Sequence, residues 1–137
     1  MKRDFVFYRK KGGVTLSGGE PLHFGKFCIK LPELCAQDGI GIVFETCGYG
    51  DWEVLREYAR FAQGIFFDIK HADTEKHRTG TGVDNHLILE NFTRLTDEYE
   101  RVVVRVPVIP NFNDTPEEMA DIAACISKHL GKKITIC

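Results

Sequence analysis

With 137 residues, 43% of them hydrophobic and 28% charged, the chain is long enough to bury one core without disulfides or metals as staples. A net charge of −2, from 18 basic and 20 acidic side chains scattered apart from Arg9-Lys10-Lys11 and Lys132-Lys133, argues against nucleic acid or an anionic membrane as a partner. No apolar run approaches the roughly 18 residues of a membrane span, no apolar stretch follows Met1-Lys2-Arg3-Asp4 as in a signal peptide, and five widely spaced cysteines without a C-x-x-C read as reduced thiols of a cytoplasmic protein.

Strands and helices alternate along the chain. Val14-Thr15-Leu16-Ser17 is a short strand entering Gly18-Gly19. Phe24, Phe27, Cys28, Leu31, Leu34 and Cys35 then recur at helical spacing, with Pro32 expected to kink that helix and Asp38-Gly39 to stop it. Ile40 to Glu45 reads as a second strand. Asp51 caps a helix carrying Trp52, Leu55, Ala59 and Ala62 on one side, and Ile65 to Lys70 is a third strand. A helix from about Asp84 to Glu98 puts Ile88, Phe92, Leu95 and Tyr99 on one face, and Arg101 to Ile109 is a valine-rich fourth strand. Thr115-Pro116-Glu117-Glu118 has the form of a capping box with proline at the first helical position. Met119, Ile122, Ala123, Ile126 and Leu130 form the buried face of the helix that follows, and Lys133 to Cys137 reads as a fifth strand. About five strands alternating with four helices predict right-handed crossovers and a parallel α/β sheet.

The polar residues gather where strands stop, the edge at which α/β sheets and barrels bind ligands. In Ser17-Gly18-Gly19-Glu20-Pro21, two glycines after a strand let the backbone approach a ligand, although a plain tight turn has the same look. Glu45 ends a buried strand, where a carboxylate is costly without a cation, an amine or a metal nearby, although a solvated strand terminus has the same look; Cys47, with no histidine partner in view, reads as a small buried or half-buried thiol. Asp68 and Lys70 are two apart and face the same way on a strand, able to pair with each other or to hold a zwitterion. His71, His77 and His86 lack the spacing of a zinc site. Arg105 lies within a valine strand, where a charge is expensive unless it points into a pocket or an ion pair.

Taken in order, these segments resemble the glycyl-radical-enzyme activating enzymes of the pyruvate formate-lyase activating type, within the radical S-adenosylmethionine enzymes. The resemblance starts at Gly12-Gly13-Val14-Thr15-Leu16-Ser17-Gly18-Gly19-Glu20-Pro21-Leu22. It continues through Glu45-Thr46-Cys47-Gly48-Tyr49, Asp68-Ile69-Lys70, His77-Arg78-Thr79-Gly80 and Asn85. It ends with Arg105-Val106-Pro107-Val108-Ile109-Pro110 and Asn113-Asp114, and so covers about Tyr8 to Met119. It implies one domain over 1–137, an incomplete (β/α)6 partial barrel of the TIM type lacking its first strand. It implies S-adenosylmethionine as cofactor, with its methionyl amino group at Gly18 and Gly19 and its carboxylate at Lys70. Asp68 and Ile69 would line the same end, and Arg105 would lie deeper. It also implies a monovalent cation at Glu45, Thr46 and Asp68 with the Phe66 carbonyl, a hard-oxygen set that suits such an ion. The implied partners are a glycyl-radical enzyme, on which the radical is made, and an electron donor such as flavodoxin or ferredoxin.

The family's [4Fe-4S] cluster needs C-x-x-x-C-x-x-C, and Cys28, Cys35, Cys47, Cys125 and Cys137 do not form it. The expectation is therefore a fragment from the middle of such an enzyme, inactive in radical chemistry by itself. Two other readings stay open. One is a non-catalytic cofactor-binding or interaction remnant. The other is a Schiff-base lyase using Lys70, which leaves the Ser17–Pro21 segment and Glu45 without a role.

Overall fold

The computed structural model describes residues 12–130. Four strands form one parallel sheet in the order β1-β2-β3-β4: β1 Gly13–Leu16, β2 Gly41–Thr46, β3 Gly64–Asp68 and β4 Val102–Arg105. The register sets Leu16 beside Phe44, Phe44 beside Ile65 and Ile65 beside Val102. This row, with Phe67, lies on the helix-covered face and packs against Leu55, Tyr58, Phe92, Leu95 and Ile122, while Ile42 packs with Cys35 and Ile40. Phe44 and Tyr58 stack with centroids 4.6 Å apart. The alternate residues Thr15, Val43, Glu45, Phe66, Asp68, Val103 and Arg105 share the other face, which is less buried. Side-chain alternation thus sorts each strand into a core row and a row available to a ligand. Among the described residues, no helix is long and apolar enough to cross a membrane.

The helices are α1 Lys30–Gln37, α2 Trp52–Phe61, α3 Thr74–Thr81, α4 His86–Glu98 and α5 Pro116–His129, with a 3-10 segment at Pro21–Ile29. Pro32 does not kink α1. It is the third residue of that helix, within the first turn, where an amide has no intrahelical acceptor to lose. The break falls earlier, at Gly25, whose φ is 54° and ψ −145°. Helix α3 has no apolar period to announce it, because its sequence is polar and His77 is its one buried residue. Local bonds hold it instead: Asp73 Oδ1 accepts from the Lys76 amide at 2.7 Å, and Gly82 closes the end at φ 87°. Strand β4 is shorter than the valine run suggested. Pro107 has no amide to give to a ladder, and the Ile109 amide donates to Asn113 Oδ1 at 2.7 Å. The strand expected at Lys133 to Cys137 lies outside the described residues.

Candidate functional site

Leu16 is the last residue of β1, and the chain leaves it through Gly18 at φ 93° and Gly19 at φ 58°. Both values are in the left-handed region that favours glycine. That turn delivers Glu20 to the far end of β2. Glu20 Oε1 accepts from Thr46 Oγ1 at 2.7 Å and the Leu22 amide at 3.1 Å, while Oε2 accepts from the Cys47 amide at 2.8 Å and Cys47 Sγ at 3.0 Å. Thr46 Oγ1 accepts in turn from the Gly48 amide at 2.8 Å. One carboxylate therefore ties the loop after β1 to the loop after β2 by charge-assisted bonds. Nothing local in the sequence announces this role, since donor and acceptor are 26 residues apart.

Cys47 is the neutral donor in this arrangement. Burial and then the Glu20 carboxylate push its thiol up to about 11, which removes it as a nucleophile at neutral pH.

The charged cluster lies on the open face. Register places Asp68 beside Arg105, and Glu45 beside Phe66. Arg105 Nε donates to Asp68 Oδ1 at 2.8 Å and its Nη1 to Glu45 Oε1 at 3.0 Å, with the guanidinium 5.1 Å from the Phe66 ring centroid. Glu45 also accepts from Ser17 Oγ at 2.6 Å. The Ser17 bond, then the guanidinium, hold the Glu45 carboxyl below its ordinary value. The sequence suggested Asp68 with Lys70, but the partner of Asp68 is Arg105 on the neighbouring strand.

A cavity of about 250 Å³ opens at this edge, lined by Ser17, Gly19, Glu20, Glu45, Thr46, Cys47, Asp68, Lys70 and Arg105. It brings together Gly19, Glu45, Asp68, Lys70 and Arg105, with Gly18 next in the loop. Ile69 differs: it is 2% exposed, belongs to the core and does not line the cavity. The Thr46 hydroxyl is turned to Glu20, on the opposite side of β2 from Glu45.

Three buried asparagines fix the surrounding loops. Asn113 Nδ2 donates to the Lys70 carbonyl at 2.7 Å and the Pro107 carbonyl at 3.0 Å. Asn91 Nδ2 donates to the carbonyls of Gly48 and Gly50 at 2.8 and 2.9 Å. Asn85 Nδ2 reaches the carbonyls of His71 and Ala72 at 3.1 and 2.9 Å. The histidines do not gather at the cavity. His71 Nδ1 accepts from the Asp73 amide, His77 Nδ1 is 2.7 Å from the Val83 carbonyl, and His86 is exposed.

A family model described as the radical SAM superfamily matches residues 2–123. The chain belongs to the radical SAM superfamily. Its relatives are activating enzymes. It is 42% identical over 126 residues to the isethionate sulfite-lyase activating enzyme of Oleidesulfovibrio alaskensis, a match spanning 90% of this chain and 41% of that protein. It is 42% identical over 131 residues to the 4-hydroxyphenylacetate decarboxylase activating enzyme of Clostridioides difficile, spanning 94% of this chain and 42% of that protein. A solved domain of the pyruvate-formate lyase-activating enzyme from Bacteroides vulgatus superposes with a TM-score of 0.75 at 31% identity, over 85% of this chain and 72% of that one. The chain thus spans about two fifths of the length of the curated relatives it matches.

Proposed function

We propose that this chain is the central part of a glycyl-radical-enzyme activating enzyme, and that its strand-end cavity takes the methionyl end of S-adenosylmethionine. The observation that carries this reading is the convergence of segments from four strand ends on one small cavity, in a chain whose relatives are activating enzymes. The one-sided burial of the sheet supports its being part of the wall of a partial (β/α)6 barrel, with the open face turned to the lumen. A volume of about 250 Å³ is just below the roughly 300–1,000 Å³ of a complete small-molecule site, and so suits one end of the cofactor.

The residues present fit that end. Lys70 supplies an ammonium to meet a carboxylate, and the Asn113 bond to its carbonyl fixes its backbone. The turn at Gly18 and Gly19 carries backbone carbonyls that can accept from an amino group. Glu20 keeps this turn at a set distance from β2, and Arg105 holds Glu45 and Asp68 to the wall. When bound, S-adenosylmethionine supplies the sulfonium that the family's radical chemistry uses.

The [4Fe-4S] cluster does not fit the cysteines described. Cys35 is buried with Ile40 and Ile42, Cys47 is committed to Glu20, and Cys125 lies on α5 against the core. No step is therefore assigned through it. The glycyl-radical partner and a flavodoxin or ferredoxin donor belong to the whole-protein reading.

Calorimetric titration of the 137-residue chain with S-adenosylmethionine tests the assignment. Without the contacts of a cluster, each such polar contact being worth about 1–3 kcal/mol, affinity is expected near millimolar, about −4 kcal/mol. It should vanish in Lys70→Ala. Micromolar binding, or binding indifferent to Lys70→Ala, would show the cavity to be the wrong place.

A further inference from the structure

The resemblance implies a monovalent cation held by Glu45, Thr46, Asp68 and the Phe66 carbonyl. The geometry gives the side chains of Glu45, Thr46 and Asp68 other work. The two carboxylates are bridged by one guanidinium, Nε to Asp68 at 2.8 Å and Nη1 to Glu45 at 3.0 Å. The Thr46 hydroxyl donates to Glu20 and accepts from Gly48, away from both. The bridge is built in by the fold: Arg105 is the strand partner of Asp68, and the Phe66 ring lies beneath its guanidinium at 5.1 Å.

We propose that Arg105 is this site's own monovalent cation, so that the cavity needs neither sodium nor potassium. The charges agree with it. Glu45 and Asp68 bring two negative charges, and Arg105 and Lys70 bring two positive ones to the same cavity. A metal ion added between the carboxylates would have to displace the guanidinium or sit against it, and like charges at that range repel. Arginine cannot escape by losing its proton, because a guanidinium stays charged at any accessible pH. Its planar fork also spans two carboxylates on separate strands, which a point charge does less selectively. The consequence is a specificity: the counter-charge is fixed in the wall, and does not vary with the salt around the protein.

This proposal takes its interest from the cofactor reading above, but its test does not need the cofactor. Sodium-23 NMR line widths of the wild-type chain, titrated with sodium chloride at ionic strength held constant with tetramethylammonium chloride, should show no saturable broadening. Arg105→Gln, which removes the guanidinium bridging Glu45 and Asp68 and leaves the cavity one positive charge short, should gain saturable sodium binding at least roughly tenfold tighter than wild type. Arg105→Lys, which keeps a charge, should gain less. Saturable broadening in the wild type that Glu45→Gln abolishes would overturn the proposal, and so would a folded Arg105→Gln that gains no sodium binding. If Arg105→Gln fails to fold, the wild-type titration alone decides. Failure of S-adenosylmethionine to bind would overturn the cofactor reading and leave this result standing.

Discussion

Glu20 is the residue whose importance the sequence hides best. Its neighbours Gly18 and Gly19 announce a turn, yet its own acceptors are matched by donors on Thr46 and Cys47, brought near only by the parallel pairing of β1 and β2. Arg105 teaches the same lesson. Spacing along the chain matches Asp68 with Lys70, whereas register across the sheet matches it with Arg105. Spacing is legible in a sequence, and register is not. Glu20→Gln is expected to destabilise the protein by about 1–3 kcal/mol, the cost of a part-buried group losing its partners. It should also lower the Cys47 thiol from about 11, because the Glu20 carboxylate is, after burial, the main cause of that value. Mass-spectrometric readout of Cys47 alkylation across pH measures this directly. An unchanged alkylation profile in a folded variant would mean that burial alone sets the thiol.

At the scale of elements, those with a strong apolar period were legible and those held by polar bonds were not. Helices α2 and α4 carry buried faces that their sequences display, whereas on α5 Ile122 is buried, Met119, Cys125, Ile126 and Leu130 pack half-buried against the core, and Ala123, expected on that face, is exposed. Helix α3 shows no such face, because caps and side-chain bonds hold it in place. The start of α5 was readable because a capping box is a local pattern, and both of its bonds form: Thr115 Oγ1 accepts from the Glu118 amide at 3.2 Å, and the Thr115 amide donates to Glu118 Oε2 at 3.3 Å. Thr115→Ala should cost about 1 kcal/mol in chemical denaturation. Glu118 has a second task the box does not reveal. Its Oε1 receives Lys76 Nζ of α3 at 2.7 Å, and Lys76, then Thr115, hold its carboxyl down at about 2. A carboxyl depressed in the folded state stabilises the fold above its unfolded value and loses that contribution as protons return. The contribution of Glu118 is thus complete above the ordinary 4.5, declines as pH falls, and is gone below about 2. Acid-unfolding curves of wild type and Glu118→Gln should therefore differ at neutral pH and converge near pH 2. A constant offset across that window would assign the effect to something other than titration.

At the scale of the whole molecule, the helices lie on one face of the sheet and leave the other for a ligand and for further structure. Parallel sheets are nearly always covered on both faces. Among the described residues β1 and β4 are the edge strands, and the open face carries Val43, Phe66 and Val103 below the charged cluster. Val103 is 52% exposed, and Val108 just beyond β4 is 60% exposed. An unprotected strand edge with an apolar side chain is a template for pairing with another chain. The chain matches only 41–42% of the length of its relatives cited above, and in those relatives the remaining length is available to cover such surfaces. The 137-residue chain is therefore expected to self-associate. Sedimentation velocity should show the average coefficient rising with concentration. Val103→Lys, a charge on an edge strand, should suppress that rise with little change in stability, since the valine it replaces is half exposed. The two measurements separate the causes. A wild-type chain that stays monomeric at high concentration would show that these edges are already covered within the 137 residues. Association unaffected by Val103→Lys would move the contact away from β4, with the edge at β1 as the next surface to alter.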